Sequence, residues 1–398
     1  MEWRRTLWLM VVVQAVMSGS YQISSPFLPL FLIEIGVQPL AQVEYWTGAV
    51  LSINSIFSAV ASPFWGNLSD RYGRKAMVLR SAIAVGITIG LTGLCNNIWE
   101  LVATRVLMGI FSGFSASAMA LVATQVPEEN LGFALGWLST GQIAGALIGP
   151  LLGGILADQI HNYRAIFFYS AAGIIFVAVG LTMLVREGGE DGEVPLRARL
   201  TMREQFKNVV HHPDLAPMFV VILLAQVTAI GLTPILPLYI ASMVGPVSWV
   251  GTATGAALAV TGVAGLLGAP FLGRRSDTLG YRPVLLFSLM GATLFTLPQA
   301  IVSNIWGFIG LRFGVGIFLG GILPSANAII GRIAKPEERG QIYGITSTAQ
   351  FLGRFIGPLL GGAVAAHFGF PAVFWVIGAL MLANFVWVAA NVRPATVS

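Results

Sequence analysis

The stretch "SPFWGNLSDRYGRK" at residues 62–75 returns as "APFLGRRSDTLGYR" at 269–282. Gly66 falls on Gly273, an offset of 207 (273 − 66). At the same offset "NIW" at 97–99 meets "NIW" at 304–306, and Arg105 meets Arg312. "GPLLGG" at 149–154 recurs at 357–362, offset 208, and "SSPFLPL" at 24–30 is echoed by "LTPILPL" at 232–238. Several motifs repeated in one order mean that the chain contains itself twice. The spacing predicts two halves, 1–185 and 215–398, joined by a polar segment at 186–214. That segment begins "REGGEDGE" and continues "LRARLTMREQFKNVVHH", which reads as a plain tether or as a surface amphipathic helix.

Composition says what each half is made of. Of 398 residues, 56% are hydrophobic and only 10% charged, against about 25% charged in a soluble domain. Too few charges remain to coat a water-facing surface, so the apolar residues face lipid. Runs of about 20 apolar residues cross a bilayer. Twelve such runs occur, at about 6–33, 46–68, 77–95, 98–122, 131–157, 164–185, 216–241, 248–272, 283–301, 305–331, 340–365 and 370–391. Each must be a helix, because backbone polar groups in lipid need partners within the segment. The first run is too long for a cleaved signal peptide and is expected to stay as a helix. The fold class is therefore all-α integral membrane, with twelve transmembrane helices in two pseudo-symmetric six-helix bundles.

The net charge of +5 invites a nucleic-acid reading, but charge placement rejects it. With an even number of spans both termini lie on one side. That side collects Arg4, Arg5, Arg71, Arg74, Lys75, Arg80, Arg186, Arg197, Arg199, Arg203, Lys207, Arg274, Arg275, Arg282, Arg332, Lys335, Arg339 and Arg393, which is 18 of the 22 basic residues. The other side holds Arg164 with Glu34, Glu44, Glu100 and Asp158. Basic loops stay in the cytoplasm, so both termini are expected there.

Ionisable residues inside spans point to function. Arg105 and Arg312 each sit about seven residues in from the outer face, and Arg354 about fourteen residues into the eleventh span. No Asp or Glu lies deep in any span. There is no Gly-rich loop ending in Gly-Lys-Ser/Thr for ATP, no hydrolase elbow and no cluster of metal ligands. The expectation is a protein that is not an enzyme and needs no cofactor or metal. Cys95 is alone and reads as a small packing residue.

Small residues four apart let helices approach closely in lipid. Gly145, Gly149 and Gly153 share one face, and Pro150 removes a backbone hydrogen bond and permits a bend. Gly353, Gly357, Pro358 and Gly361 repeat the pattern. Both stretches are expected to serve as a seam and hinge. Pro26, Pro29, Pro234 and Pro237 are expected to bend the first and seventh helices.

These motifs resemble the major facilitator superfamily of secondary transporters, and within it the twelve-helix drug:proton antiporter branch. "GNLSDRYGRK" at 66–75 is similar to the superfamily's loop signature between helices 2 and 3, with Gly66, Asp70, Arg71, Gly73, Arg74 and Lys75 in place. "LVATRVLMG" at 101–109 is similar to its helix-4 signature, and "GALIGPLLGG" at 145–154 to the helix-5 signature of antiporters.

The resemblance implies export of small organic molecules by proton antiport through alternating access, with the proton gradient as the energy source. It implies a central cavity lined by helices 1, 4, 7 and 10. Candidates there are Gln14, Tyr21, Gln22, Arg105, Ser112, Ser115, Gln226, Arg312 and Asn327, with Asn54, Gln142, Gln350 and Arg354 on neighbouring helices. It implies that Asp70 docks on the start of helix 11 near Gly340 as a latch, with Asp277 as a weaker second copy. It places the glycine seam where the two halves meet.

Many such antiporters carry a membrane carboxylate that is missing here. The candidates left for proton coupling are Glu34, Asp70, Glu100 and Asp158, with Arg105 tuning an acid. The expected partners are lipid, protons and a small amphiphilic or anionic substrate. The protein is expected to bind no nucleic acid and to act as a monomer. Three intramembrane arginines without deep acids keep open export of an anionic metabolite such as a carboxylate siderophore. Nutrient import is a weaker alternative.

Overall fold

A computed structural model describes residues 2–184, 215–245, 249–333 and 339–392. The joining segment 186–214 lies outside them. The described residues form helices and no strand. In chain order these are α1a (Glu2–Ser24) and α1b (Leu28–Glu34), α2 (Leu40–Tyr72), α3 (Arg74–Leu94), α4a (Ile98–Phe111) and α4b (Phe114–Gln125), α5 (Leu131–Ile160) and α6 (Tyr163–Leu184). Then follow α7a (Leu215–Gly231) and α7b (Leu236–Val244), α8 (Val250–Leu279), α9 (Tyr281–Thr296), α10 (Ile305–Ile333), α11 (Arg339–Phe368) and α12 (Phe370–Asn391). Among the described residues, eleven segments are long and apolar enough to cross a membrane. The interior of α2 carries Thr47, Ser52, Asn54, Ser55 and Ser58. The chain is a multi-pass membrane protein.

The duplication governs how each end is built. Asn97 and Asn304, 207 apart, both cap helices: Asn97 Oδ1 accepts from Glu100 N at 3.0 Å, and Asn304 Oδ1 from Gly307 N at 2.6 Å. A side chain in that place satisfies one of the four orphan amides that open a helix. The following Trp99 and Trp306 are both exposed, as expected of aromatic rings at a membrane–water boundary. Gly73 and Gly280 are the single-residue links α2–α3 and α8–α9, at φ +87° and +93°. Those left-handed values favour glycine and explain its place in both copies of the loop motif.

Two compact units result: Met1–Asp191 with Leu236–Ala259, and Gly192–Ile235 with Val260–Ser398. In the first, α1 packs on α5, α2 on α4a, and α3 on α6. In the second, α7a packs on α11, and α9 on α10 and α12. Glycines mark the same crossings in each. A Cβ at Gly109 would press on the Asn54 carbonyl, and one at Gly316, 207 residues on, would press on that of Thr261.

Three spans are broken rather than bent. Ser25–Phe27 forms a 3-10 turn between α1a and α1b, around Pro26. Residues 232–235 form turns between α7a and α7b. The span read as continuous at 98–122 breaks at Ser112–Gly113, where Gly113 takes φ +115°. Proline removes an amide and glycine tolerates positive φ, so each break has a local cause. The duplicate of the third break is absent: α10 runs unbroken through Pro324.

Candidate functional site

The broken fourth span organises the polar interior of the first unit. A break inside lipid frees carbonyls that must find partners. Trp65 Nε1 donates to the Ile110 carbonyl, and Arg80 Nη2 to that of Ser112 at 3.3 Å. The Arg80 guanidinium stacks 3.4 Å over the Trp65 ring, and the Ser58 and Ser112 hydroxyls lie 2.6 Å apart. Arg80 was counted above as a loop charge that sets topology. It lies instead within α3 and works on the break. Its position only six residues into the helix let it pass for a flanking charge.

One turn further along, Tyr21, Ser24, Ser25, Leu28, Leu51, Asn54, Ile89 and Arg105 line a small enclosed cavity. Arg105 is 5% exposed. Its Nη1 donates to Met108 Sδ at 3.1 Å, and its Nε has no partner. Asn54 Oδ1, which lies in the same cavity, is unpartnered too. A buried guanidinium without a carboxylate is costly and is usually kept for a task.

The expected cavity residues are only partly brought together. Tyr21, Asn54 and Arg105 share the cavity, while Gln14 Nε2 donates to Ser115 Oγ at 2.9 Å beside the break. Ser112 bonds Ser58. Gln22 is half-buried against Gly149, and Gln142 is exposed, with its carbonyl accepting from Ser18 Oγ at 2.8 Å. In the second unit Gln226 is buried against Gly353. Arg312 is 7% exposed with Nε unpartnered, which repeats Arg105, and Asn327 Oδ1 is likewise unpartnered. Gln350 is half-buried, whereas Arg354 is exposed.

Three proton candidates are held at helix starts. Glu34 pairs with Arg164 Nε at 3.5 Å, and its other oxygen accepts from Tyr163 N at 3.0 Å, so it caps α6. Glu100 accepts from Asn96 N at 2.8 Å and Asn97 Nδ2 at 2.6 Å, closing the start of α4a. Arg105 meets neither acid. Asp158, at the end of α5, holds the backbone amides of Gly251 and Thr252. The side chains of Asp70, Arg71 and Asp277 lie outside the described residues, as does the side-chain packing at the start of α11. Arg74 Nη1 donates to the Ala120 carbonyl at 3.0 Å, tying the loop motif to α4b. Gly66 and Lys75 sit on α2 and α3 on either side of Gly73.

The glycine seam needs a correction. Gly145, Gly149 and Gly153 do not form a face between the two halves. They press on α1a: a Cβ at any of them would come within 3.0 Å of the backbone of Ala15, Gly19 or Ile23. Gly353, Gly357 and Gly361 likewise press on α7a, at Leu223, Val227 and Gly231. Pro150 and Gly154 are the positions against α8, at Gly255 and Gly251. Successive residues turn 100° around a helix, so one step in register chooses a different neighbour. Spacing alone shows that a face is smooth and not what it meets.

Sequence reasoning missed one residue. Glu44, read as a loop acid, stands in the second turn of α2 and is 4% exposed, with no partner among the described residues. Burial pushes its carboxyl up to about 7. The signal available was its helical register with Thr47, Asn54 and Ser58.

Comparison with known proteins bears on the whole chain. The family model for the Major Facilitator Superfamily matches residues 10–245 and again 218–397. Multidrug resistance protein MdtG of Proteus mirabilis is 37% identical over 386 residues, covering 97% of this chain and 95% of that protein. MdtG of Salmonella typhimurium is 37% identical with the same coverage. Among solved structures, the nucleoside transporter NupG superposes with TM-score 0.79 at 12% identity, over 98% of this chain and 99% of that one. An inward-facing bacterial homologue of the lysosomal transporter Spinster gives 0.76 at 15%, over 98% and 95%. Duplicated six-helix halves, buried arginines at matching depths and the full-length matches agree: the chain belongs to the major facilitator superfamily.

Proposed function

We propose that the chain exports chemically varied small organic molecules across the bacterial cytoplasmic membrane in exchange for protons, by alternating access. The observation that carries this reading is the 37% identity to multidrug resistance proteins over 97% of the chain. The broken α1, α4 and α7 support it, since discontinuous helices line the binding sites of many secondary transporters. The mixed polar and aromatic lining suits amphiphilic molecules. The proton gradient supplies the energy, without a cofactor, a metal or a catalytic step. The working form is a monomer with both termini in the cytoplasm. Expression in a strain stripped of its efflux pumps tests this. Tolerance of lipophilic cations is expected to rise, and an unchanged tolerance profile across a broad panel contradicts it.

Arg105 favours a second reading. A buried guanidinium beside Tyr21 and Asn54, with no acid against it, suits an anionic group on the substrate. Export of a carboxylate metabolite then takes the place of drug efflux. Accumulation of that carboxylate in cells lacking the protein, with drug tolerance unchanged, is the outcome that favours it.

A further inference from the structure

Five acids have described side chains: Glu34, Glu44, Glu100, Glu129 and Asp158. Glu34, Glu100 and Asp158 are each spent on helix starts, and Glu129 is exposed. Glu44 alone is buried, and it has no partner among the described residues. Its place in α2 is not arbitrary. Residues 44, 47, 51, 54 and 58 follow the 3-4 spacing of a single helix face. That face carries Glu44, Thr47, Leu51, Asn54 and Ser58. Leu51 and Asn54 line the cavity of Arg105, and Ser58 bonds Ser112 at the break in α4. A rise of 1.5 Å per residue puts Glu44 about 15 Å from Asn54 along this stripe. Glu44 stands at the N-terminal end of this stripe, in the second turn of α2.

We propose that Glu44 is the proton-binding group of this transporter, neutral in the packing seen here and ionised when the end of α2 meets water. The proposal rests on the antiport reading above. Burying an ionised carboxylate without a partner is far more costly than burying the neutral acid. Protonation, –COO⁻ + H⁺ → –COOH, therefore favours the packed form of α2, and loss of the proton favours a form that hydrates the group. Coupling follows from that preference: the proton selects which form the helix takes. The charged groups on the elements packed against α2 are accounted for. On α1b, Glu34 is held by Arg164 and Tyr163 N. On α4a, Glu100 is held by Asn96 and Asn97, and Arg105 by Met108. On α3, Arg74, Lys75 and Arg80 lie towards the opposite end, and on α2 itself so do Asp70 and Arg71. Burial is the sole cause of the raised carboxyl pKa of Glu44, two residues outside the span 46–68.

The test uses the full chain in lipid nanodiscs, with the proton itself as probe. Infrared titration of the wild type from pH 5 to 9 is expected to show a carboxylic-acid C=O band that disappears with a midpoint near 7. Glu44→Gln should lack the band, and Glu44→Asp should keep it. In proteoliposomes, Glu44→Gln should lose at least ten-fold in the response of ethidium transport to an imposed pH gradient. It should retain ethidium exchange without a gradient, which shows that the variant is folded. A band that survives in Glu44→Gln, or an undiminished gradient response, overturns the proposal. A wild type that titrates as expected but ignores the gradient overturns the antiport reading, and the coupling role with it.

Discussion

Asp158 closes the N-terminus of α8: its two carboxylate oxygens accept from Gly251 N at 2.8 Å and Thr252 N at 2.7 Å. A residue near the end of one thirty-residue helix thus satisfies the first amides of another, ninety-three positions away in sequence. The junction is made possible by glycine. A Cβ at Gly154 or Gly251 would meet the backbone of the other, so bulkier residues would hold the carboxylate away from the amides. A negative charge at a helix start also gains from the axial dipole.

Loss of this cap has a measurable cost. Asp158→Ala is expected to destabilise the protein by about 0.5–2 kcal/mol, the usual range for removing an N-cap. Asp158→Asn keeps one acceptor oxygen and should lose less. Thermal unfolding in detergent, followed by scanning fluorimetry, ranks the three proteins. Equal midpoints would show that the cap contributes nothing.

The glycine face of α5 predicts a contrast between neighbouring substitutions. Gly149→Ala places a methyl against Gly19 and Gln22 and should lower both the unfolding temperature and transport. Gly136→Ala, on the same helix, has nothing within 4 Å and should be neutral or stabilising by up to about 1 kcal/mol. Comparable losses in both variants would mean that helix flexibility, and not close approach to α1a, is what the glycines supply.

Much of this was legible in the sequence. The offset of 207 announced the two copies, and the structure repeats it in the Asn97 and Asn304 caps, the Gly73 and Gly280 links, and the buried Arg105 and Arg312. The neighbours were not legible. Gly145, Gly149 and Gly153 advertise a smooth face, but whether α1a or α8 lies against it is a matter of three-dimensional packing. The break in α4 was hidden in "IFSGFS", where one Ser-Gly pair interrupts a run too apolar to look discontinuous. Glu44 escaped notice because it stands two residues before the apolar run begins, where an acid ordinarily faces water.

Arg105 should separate function from stability. Removing a buried, unpaired guanidinium relieves a desolvation cost, so Arg105→Ala is expected to unfold at the same temperature as the wild type or above it. Transport is expected to fall by at least ten-fold, because the cavity loses its only charge. Arg354→Ala, at an exposed position, should affect transport less. Measuring unfolding and substrate efflux on the same preparations checks this. A parallel loss of both in Arg105→Ala would make the arginine a packing residue.

Glu44 gives the protein a pH-dependent stability with a defined sign. Its carboxyl is raised from 4.5 to about 7 by burial, so the folded state holds the proton more tightly than the unfolded state. The contribution is fully present below pH 4.5 and is lost as pH rises through about 7. The unfolding temperature should therefore decline across that window and level off above it. Glu44→Gln cannot titrate, and its decline should be shallower by that contribution. Identical slopes in the two proteins would show that the group ionises freely where it stands.

The most direct measurement of the central claim is transport by the purified full chain in proteoliposomes, with an imposed pH gradient and a lipophilic cation such as tetraphenylphosphonium as probe. Proton antiport predicts that the cation accumulates on the acidic side and that a protonophore abolishes the accumulation. Equal rates with and without the gradient, or accumulation that survives the protonophore, would contradict it.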